Sequence, residues 1–210
     1  MTREIKHKSI TKIRKTAVDK GNLSKLTDEK LIEKATNDGD IDAFGIIYDR
    51  YHQRVFNKCI IFVKSKSLAE DLTHDIFLKA FTKLSQFDFK SKFSTWFYSL
   101  AYHQCIDQVR KMSYDKKTDY IEMEAIEERR VKVTHTDSES KLLGVDVETL
   151  EKVLDKLLPN DKMILLMKYQ DDMSIKELQQ EFEIGESAVK MRLLRARERA
   201  VAIYETYFKT

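Results

Sequence analysis

Apolar residues recur every three or four positions along most of the chain, which is the spacing that places them on one face of an α-helix. Four such stretches lie within residues 25–111, and a second group lies within residues 148–210. No stretch alternates apolar and polar residues in the manner of a half-buried strand. The pattern predicts an all-α protein with two small helical domains, 25–111 and 148–210, joined by a flexible linker.

Polar residues at the start of the apolar stretches predict where the helices begin. A Ser, Thr, Asp or Asn side chain can accept a hydrogen bond from a backbone N–H group in the first helical turn. The predicted capping residues are Thr27, Asp40, Ser67, Ser94, Asn160 and Ser174. Ser67 and Ser174 are each followed three residues later by a glutamate, which predicts a capping box. Pro159 is expected to end the helix that precedes it.

Two segments lack helical periodicity. Residues 1–24 form a basic tail, with seven Lys or Arg against two acids in residues 1–20. The tail is interpreted either as a mobile arm that contacts nucleic acid or as a plain disordered extension. Residues 112–147 are rich in charged residues, Thr and Ser, with a weak helical pattern at 120–130. This composition favours a linker.

The composition supports long helices and excludes several kinds of site. Charged residues make up 35% of the chain, and one Pro and five Gly are too few for a sheet-rich fold with many tight turns. Cys59 and Cys105 lack metal-ligand spacing and are expected to be buried and reduced, as in a cytosolic protein. His74 and His103 have no second ligand at a useful spacing. We therefore expect no metal and no cofactor.

Nothing in the sequence predicts secretion or membrane insertion. The basic N-terminal residues are not followed by the apolar core of a signal peptide. Apolar runs such as residues 59–63 are far too short to cross a bilayer. A cytoplasmic protein without a membrane segment is expected.

Residues 173–208 have the pattern of a short helix, a tight turn and a second helix that is basic along one side. Gly185 is the expected N-cap of the second helix. Its predicted buried stripe is Val189, Leu193, Ala196, Ala200 and Ile203. This is the pattern of a helix-turn-helix, whose second helix places its first turns in the major groove of DNA. The alternative is a solvated, salt-bridged helix in an ordinary helical bundle.

The basic helix offers candidates for two kinds of DNA contact. Its first two turns are expected to contact bases, through Glu186, Ser187, Lys190 and Met191. Its arginines are expected to contact phosphates, or to pair with Glu198 and neighbouring residues on the same helix. These arginines are Arg192, Arg195 and Arg197. The net charge of +3 is too small to indicate nucleic-acid binding by itself, so the hypothesis depends on where the charges lie.

Five stretches, in this order, resemble a small two-domain sigma factor of bacterial RNA polymerase, of the extracytoplasmic-function type in the sigma-70 family. The stretches are GDIDAFGIIYDRY, AEDLTHDIFLKAF, FSTWFYSLAYHQCIDQVRK, LPNDKMILLMKY and MSIKELQQEFEIGESAVKMRLLRARERA. The five stretches together, in this order, are specific to that family. The resemblance spans residues 26–207 and leaves out only the tail and the linker.

The resemblance implies a role for each of three surfaces. The third helix, with Glu70, Asp71, His74 and Asp75, matches the surface that grips the clamp of the polymerase. The loop before the fourth helix, and that helix, match the part that melts one promoter element and holds a flipped-out base. The residues implied there are Phe87, Phe89, Lys90, Lys92, Trp96, Tyr98, Tyr102 and His103. The final helix, over 186–197, matches the reader of a second element about two helical turns further upstream.

The residue types suit these roles but also have plainer explanations. An unstacked base needs an aromatic surface, and its backbone needs positive charge, which Lys90 and Lys92 would supply. The alternative is that Phe87, Phe93 and Trp96 close the core of the helical bundle. Acidic residues on the third helix are, without the resemblance, more typical of solvated surface.

The chain departs from the family pattern at six positions. Met163 and Tyr102 each stand where Arg is common, and His103 stands where Asn is common. Gln179 stands where a small residue is common, Glu183 where Gly is common and Ala188 where Thr is common. These departures bear on the promoter sequence and on the geometry of the turn more than on the class of protein.

The leading hypothesis is a sigma factor that binds core RNA polymerase and promoter DNA and performs no chemistry itself. The resemblance also implies an anti-sigma factor that clasps both domains. The alternative is a helix-turn-helix regulator that binds DNA unaided as a dimer. An enzyme is not expected, because the sequence has no Gly-rich phosphate loop, nucleophile elbow or metal-ligand cluster. A plain helical interaction protein would leave the basic stripe of the last helix unexplained.

Overall fold

The computed structural model describes residues 23–115 and 145–208. The predictions for the basic tail up to residue 22 and for residues 116–144, with the weak helical pattern at 120–130, lie outside the described residues. Every regular element in the two described segments is helical, which confirms the predicted all-α class.

The described segments contain eight α-helices and two short irregular turns. The helices are α1 (Asp28–Asn37), α2 (Ile41–Val63), α3 (Lys66–Lys83), α4 (Phe93–Asp115), α5 (Val147–Lys156), α6 (Pro159–Leu165), α7 (Ile175–Phe182) and α8 (Glu186–Tyr207). A 3₁₀ turn, Leu84–Gln86, follows α3, and a π-helical turn, Leu166–Gln170, follows α6. The two-unit organisation is as predicted, with α1–α4 in the first unit and α5–α8 in the second.

The first unit is built around α2, which packs against α1, α3 and α4. Ile47, Val55 and the ring of Tyr51 lie on its inward face, and the two aliphatic residues have no exposed surface. The ring of Tyr51 meets those of Phe93 and Phe97 nearly edge to face, at 5.7 and 5.5 Å between centroids. Such aromatic pairs contribute about 0.5–1.5 kcal/mol each beyond the area that they bury.

The second unit is built around α8, which packs against α5, α6 and α7. The predicted stripe of α8 is confirmed at Val189, Leu193, Ala196 and Ala200, which are all buried, whereas Ile203 is half-buried. The alanines of this stripe leave room for the neighbouring helices to approach closely.

Three predicted helix starts are confirmed by their capping hydrogen bonds. The Thr27 hydroxyl accepts from the N–H of Lys30, and the Asp40 carboxylate accepts from that of Ala43 at 3.1 Å. Ser174 caps α7, which begins at the predicted Ile175. In each case the donor lies three residues after the acceptor, so the local sequence suffices to find it.

The predicted starts at Ser67 and Ser94 are wrong. Helix α3 begins at Lys66 because the hydroxyl of Ser65, not that of Ser67, accepts from the first turn, at 3.4 Å from the N of Leu68. Helix α4 begins at Phe93, whose N–H donates to the carboxylate of Glu29 in α1 at 3.3 Å. The cap of α4 therefore comes from another helix, where local sequence cannot reveal it.

The predicted cap at Asn160 is also wrong. Helix α5 ends at Lys156, before Pro159 as expected, but Pro159 then occupies the first turn of α6, with Leu158 as the N-cap residue. Proline suits this position because its missing N–H would have no intrahelical partner there and its φ is already helical.

The structure places the two predicted units in contact, an arrangement that the sequence leaves open. Helix α4 lies against α6, and buried apolar residues of both units form one continuous cluster. The contact also contains buried polar groups, among them Lys58 and Asp171.

Candidate nucleic-acid interface

The helix-turn-helix of α7 and α8 is fixed by local hydrogen bonds and by one buried anchor. The Glu177 carboxylate accepts from the N–H of Ser174 at 2.8 Å, and the Ser174 hydroxyl accepts from the N–H of Glu177 at 3.2 Å, which completes the predicted capping box. Leu178 is fully buried. Glu183 ends α7 in the left-handed region, with φ of 52°, where the family pattern has glycine. The turn therefore keeps its geometry with a non-glycine residue, at some strain.

The first two turns of α8 face solvent. Glu186, Ser187, Lys190 and Met191 are exposed, while Val189 between them has no exposed surface. The predicted base-contacting residues thus share one open strip. Lys190 Nζ lies 2.6 Å from Glu186 Oε1, and this pairing lowers the pKa of Glu186. Because both side chains are exposed, the pair contributes little to stability and leaves Lys190 available to rearrange towards an anion.

The arginines of α8 have different surroundings. Arg195 is exposed, and the guanidinium of Arg192 stacks over the ring of Phe182 at 4.6 Å. Both line a groove of about 560 Å³ between α8 and the start of α6. Arg199 closes this groove by pairing with Asp161, and both side chains are nearly buried. This pair joins α8 to α6, so its role is to hold the two walls of the groove together.

Arg197, the third arginine predicted to contact phosphate, lies elsewhere. It is half-buried and donates a hydrogen bond to the hydroxyl of Tyr169 at 3.3 Å. It is absent from the lining of the groove that holds Arg192 and Arg195. The structure therefore brings Arg192 and Arg195 together beside the leading turns of α8 and directs Arg197 towards the turn after α6.

The loop before α4 combines core aromatics with one exposed ring. Phe87 is 4% exposed, and its ring lies 5.7 Å from that of Phe93 and 5.6 Å from that of Trp96, between centroids. Phe89 is 49% exposed and adopts a positive φ of 58°, which turns its ring towards solvent beside the exposed lysines at 90 and 92. Among the predicted stacking residues, Phe89 is thus the open one, and Phe87 mainly supports the loop.

Two tyrosines in the next turns of α4 do not face solvent. Tyr102 has no exposed surface, and its hydroxyl donates to Asp171 of the second unit. Tyr98 is 7% exposed and lies against Tyr51 and Lys58 of α2. His103 is exposed, and its Nδ1 lies 3.3 Å from the carboxylate of Glu181 in α7. The structure therefore divides the predicted strand-binding residues into an open loop and a covered part of α4.

The predicted polymerase-binding residues share the exposed face of α3. Glu70, Asp71, His74 and Asp75 are all exposed, while Leu72 and Ile76 on the other side of α3 are buried. The exposed face continues into Leu78, which is 66% exposed, and Phe81, which is 43% exposed. An acidic strip followed by large apolar side chains is a surface that a partner protein can cover.

The described segments contain no group of three or more His, Cys, Asp or Glu side chains arranged to hold a metal ion. In the same segments, no helix has the length and apolar character needed to cross a membrane.

Two family models match the chain in the order that the five stretches indicate. Sigma-70 region 2 matches residues 47–113, which contain most of α2, all of α3 and most of α4. Sigma-70 region 4 matches residues 147–199, which contain the helix-turn-helix. The chain belongs to the extracytoplasmic-function sigma factors of the sigma-70 family. This sigma factor directs RNA polymerase to promoters and initiates transcription.

Relatives agree with this assignment over most of the chain, and solved structures share the fold. The extracytoplasmic-function sigma factor SigW of Bacillus subtilis is 29% identical over 173 residues, which are 79% of this chain and 90% of SigW. The sigma-E factor of Escherichia coli K12 is 27% identical over 82% of this chain and 92% of its own length. The structure of CnrH, solved with the cytosolic domain of CnrY, aligns with a TM-score of 0.59 at 19% identity and covers 86% of this chain and 98% of CnrH. RpoE of Bartonella quintana, solved with the anti-sigma factor NepR, aligns at 0.54 and 18% identity, over 78% of this chain and 98% of RpoE.

The region 2 match also decides against the alternative hypothesis. A regulator that binds DNA unaided as a dimer needs only the helix-turn-helix, and it leaves the first domain without a role. We refer below to residues 23–115 as the region 2 domain and to residues 145–208 as the region 4 domain.

A buried polar cluster joins the two domains of the sigma factor. Lys58 of α2 donates to Asp171 at 2.6 Å, to the hydroxyl of Tyr102 at 3.0 Å and to the side-chain oxygen of Gln170 at 3.1 Å. The Tyr102 hydroxyl donates to the other oxygen of Asp171 at 2.7 Å. The side chains of Lys58 and Asp171 are 4% and 5% exposed. We call these four residues the inter-domain polar cluster.

Burial and the carboxylate of Asp171 shift the pKa of Lys58 in opposite directions. Burial lowers the pKa of the Lys58 ammonium, whereas the negative charge of Asp171 and its hydrogen bond raise it. Burial and Asp171 together raise the pKa of the Tyr102 hydroxyl, so it remains a donor at neutral pH. Sequence reasoning did not assign Lys58 to a site, although its position between Val55 and Phe62 on the apolar face of α2 was a signal that it is buried.

A second polar contact joins α2 to the region 4 domain at the far end of α2. Lys64 pairs with Asp155 of α5, and Lys162 Nζ of α6 lies over the ring of Phe62 at 5.5 Å. The pKa of Lys162 is lowered to about 8, mainly by burial and then by the positive charge of Lys64, while Asp155 opposes the shift. The negative charge of Asp155 thus offsets only part of the cost of burying the Lys162 ammonium.

Replacing Lys162 by methionine is expected to stabilise the protein at neutral pH. The folded chain releases the Lys162 proton near pH 8, whereas the unfolded chain holds it up to about pH 10.5. The wild-type free energy of unfolding therefore rises with pH between these values, by at most about 3 kcal/mol. In Lys162→Met this rise is absent and the stability at pH 7 is higher, as urea unfolding at pH 7 and pH 9.5 would measure. The exposed Lys176, changed to methionine, is the control and should keep the wild-type pH dependence; equal curves for all three proteins would contradict this account.

Proposed function

We propose that this sigma factor acts in the cytoplasm as a non-catalytic initiation factor, with a separate surface for each of three tasks. The acidic face of α3 holds core RNA polymerase. The loop with Phe89, together with α4, holds the melted strand of one promoter element. The leading turns of α8 read a second element upstream. The observation that carries the proposal is that the first two turns of α8 stand open beside a basic groove, while Val189 and Leu193 on the other side of that helix are buried.

The charges of each surface match the proposed partner. Lys190, Arg192 and Arg195 present donors and positive charge where a phosphate backbone would run. The exposed ring of Phe89, between exposed lysines, offers stacking and phosphate contacts to an unpaired strand. The acidic face of α3 repels DNA, which leaves it for a protein partner.

An anti-sigma factor is also part of the proposal. CnrH and RpoE of Bartonella quintana were each solved with a bound partner, and RpoE with one described as an anti-sigma factor. Their similarity to this chain is a similarity of fold, so the partner of this chain is an expectation. Co-purification of the chain from its native host, followed by mass spectrometry, would identify it.

Reconstituted transcription tests the proposal. The purified chain is mixed with core RNA polymerase that lacks other sigma factors, on a promoter found by mapping transcription start sites after overexpression. We expect the chain to bind core polymerase and to start transcripts only at that promoter. Binding to promoter DNA as a dimer, without any association with core polymerase, would overturn the proposal.

Phe89→Ala is expected to reduce promoter melting by about 10- to 100-fold, because stacking on one aromatic side chain contributes about 1–3 kcal/mol per base. The ring of Phe89 is 49% exposed and packs on one side against Phe87, at 4.7 Å between centroids, so the variant should lose much less stability than a change at Phe87. Permanganate reactivity of unpaired thymines in the complex with polymerase measures the melted fraction.

Two companion variants test the role of the Phe89 ring. Phe89→Tyr retains the aromatic face and should restore melting. Phe87→Ala removes a ring that is 4% exposed and is expected to destabilise the domain by about 3–5 kcal/mol. Normal melting in Phe89→Ala, with normal core binding, would remove Phe89 from the strand-binding surface.

A further inference from the structure

A cavity lies between α2, the beginning of α4 and the turn that follows α6. Its volume is about 530 Å³, which is within the range of sites that hold small molecules in proteins. Its walls come from both domains, with Arg54, Asn57 and Tyr98 from the region 2 domain and Gln170 and Asp171 from the region 4 domain. The cavity is separate from the acidic face of α3 and from the leading turns of α8.

The cavity carries a net positive charge. The ammonium of Lys58 is paired with Asp171, so the charges of these two buried side chains cancel. Arg54 is exposed, and no carboxylate of the described residues forms an ion pair with it. The carboxylate of Asp28, which acts on Arg54 from a distance, is already paired with Arg50. The guanidinium of Arg54 is therefore the uncompensated charge at the cavity.

Two side-chain amides at the cavity keep their NH₂ groups free. The oxygen of Asn57 accepts a hydrogen bond from the amide of Gln53 at 2.9 Å, and the oxygen of Gln170 accepts one from Lys58 at 3.1 Å. Neither NH₂ group makes a hydrogen bond within the described part of the chain. Because both amides line the cavity, each offers N–H donors to a molecule that fills it.

These donors lie around one turn of α2. Arg54 and Asn57 are three residues apart on α2, and Lys58, which holds Gln170, follows Asn57 directly. Residues three and four apart are neighbours on a helix surface, so the guanidinium and the two amides surround a common space. The hydroxyl of Tyr98 takes up one donor of Arg54, and the guanidinium has several others to offer.

Donors of this kind and number match a phosphate group. A guanidinium binds phosphate oxygens in pairs, and a terminal phosphate presents three oxygens that are strong acceptors. A carboxylate has only two oxygens, which one guanidinium can satisfy, so the two amides would have no role. The cavity is larger than a bare phosphate ion, so its occupant carries a further chemical group.

We propose that this cavity binds a small molecule with a terminal phosphate group, held by the guanidinium of Arg54 and by the side-chain amides of Asn57 and Gln170. The ligand contacts both domains, because Arg54 and Asn57 belong to the region 2 domain and Gln170 belongs to the region 4 domain. Its binding stabilises the contact between the domains, to an extent set by its concentration relative to its Kd. The site is independent of the surfaces assigned to polymerase and to promoter DNA.

Isothermal titration of the full chain with pyrophosphate tests the site. Pyrophosphate has two terminal phosphate groups and is small enough to enter the cavity. Malonate, which carries two carboxylates, is the comparison anion at the same ionic strength. We expect saturable binding of pyrophosphate and much weaker binding of malonate. The absence of saturable pyrophosphate binding, or tighter binding of malonate, would overturn the proposal.

Two substitutions of nearly unchanged shape locate the bound anion. Asn57→Asp and Gln170→Glu each replace an NH₂ donor by a charged oxygen, and both positions are exposed, so the variants should fold normally. We expect each to lower the affinity for pyrophosphate by about 10- to 100-fold, because a charge-assisted hydrogen bond is replaced by repulsion. Circular dichroism measures folding.

Matched controls make the same chemical changes outside the cavity. Asn37→Asp in α1 and Gln180→Glu in α7 are also at exposed positions and should bind pyrophosphate like the parent protein. Equal affinity in the parent and all four variants would place the anion elsewhere, for example at the arginines of α8, and would overturn the proposal.

A single-stranded oligothymidine with a 5′-hydroxyl group separates a small ligand from the DNA backbone. Its internal phosphates have fewer free oxygens than a terminal phosphate, so it matches the donors of the cavity less well. We expect it not to displace pyrophosphate from the chain. Displacement of pyrophosphate by the oligothymidine would assign the cavity to the melted strand and would contradict a small-molecule site.

Discussion

Replacing Asp71 and Asp75 of α3 by lysine is expected to lower the affinity of the chain for core RNA polymerase by at least about 100-fold, because reversed charges at an interface cost several kcal/mol. Both carboxylates are exposed. The side of α3 that packs into the hydrophobic core of the domain, with Leu72 and Ile76, is unchanged. The variant should therefore fold normally. Titration of labelled core polymerase with the chain measures the affinity, and circular dichroism measures folding.

A control with the same change in charge uses two acids on other helices. Asp107 of α4 and Glu151 of α5 are also exposed, and Asp107→Lys with Glu151→Lys alters the net charge by the same amount. This control should bind core polymerase like the wild type. If the two double variants bind equally well, α3 is not the surface that holds the polymerase.

Lys190→Glu is expected to reduce transcription from the cognate promoter by about 10- to 100-fold, because a lost base or phosphate contact costs about 1–3 kcal/mol. Lys190 lies on the exposed strip of α8, and its exposed ion pair with Glu186 contributes little to the stability of the helix. Binding of the variant to core polymerase should be unchanged, since α8 is separate from α3. Transcription measured at several salt concentrations should also show a weaker salt dependence.

Lys152→Glu is a close control for Lys190→Glu. Lys152 is exposed and lies 2.6 Å from Glu148, four residues earlier on its helix, just as Lys190 lies 2.6 Å from Glu186. Both changes therefore create the same repulsion within a helix, and only one removes a proposed DNA contact. An equal loss of transcription in both variants would assign the effect to helix stability.

The elements that sequence predicted well are those with a local cause. The capping bonds of Thr27, Asp40 and Ser174 reach three residues along the chain, and the stripe of α8 follows from helical spacing alone. The start of α4 was missed because its cap, Glu29, is 64 residues away. The start of α3 was missed because Ser65 and Ser67 can each cap a helix, and packing of the first turn decides between them.

The candidate sites divide in the same way. The helix-turn-helix could be found from sequence because its capping box, turn and basic face lie within one stretch. The inter-domain polar cluster could not, since Lys58 and Asp171 are 113 residues apart and neither belongs to a motif. The hydroxyl of Tyr102 lies in that contact. Sequence alone therefore assigned Tyr102 to the strand-binding surface without showing that its hydroxyl binds Asp171 of the region 4 domain.

Site-specific cross-linking within the complex with polymerase tests whether the two helical domains contact two separate promoter elements. A photoreactive amino acid replaces Phe89 in one variant and Met191 in another, and each is bound with core polymerase to the mapped promoter. We expect Phe89 to cross-link to the melted strand and Met191 to the duplex about two helical turns, or roughly 20 base pairs, upstream. Cross-links from both positions to the same element, or from Met191 to two symmetric half-sites without polymerase, would contradict this expectation.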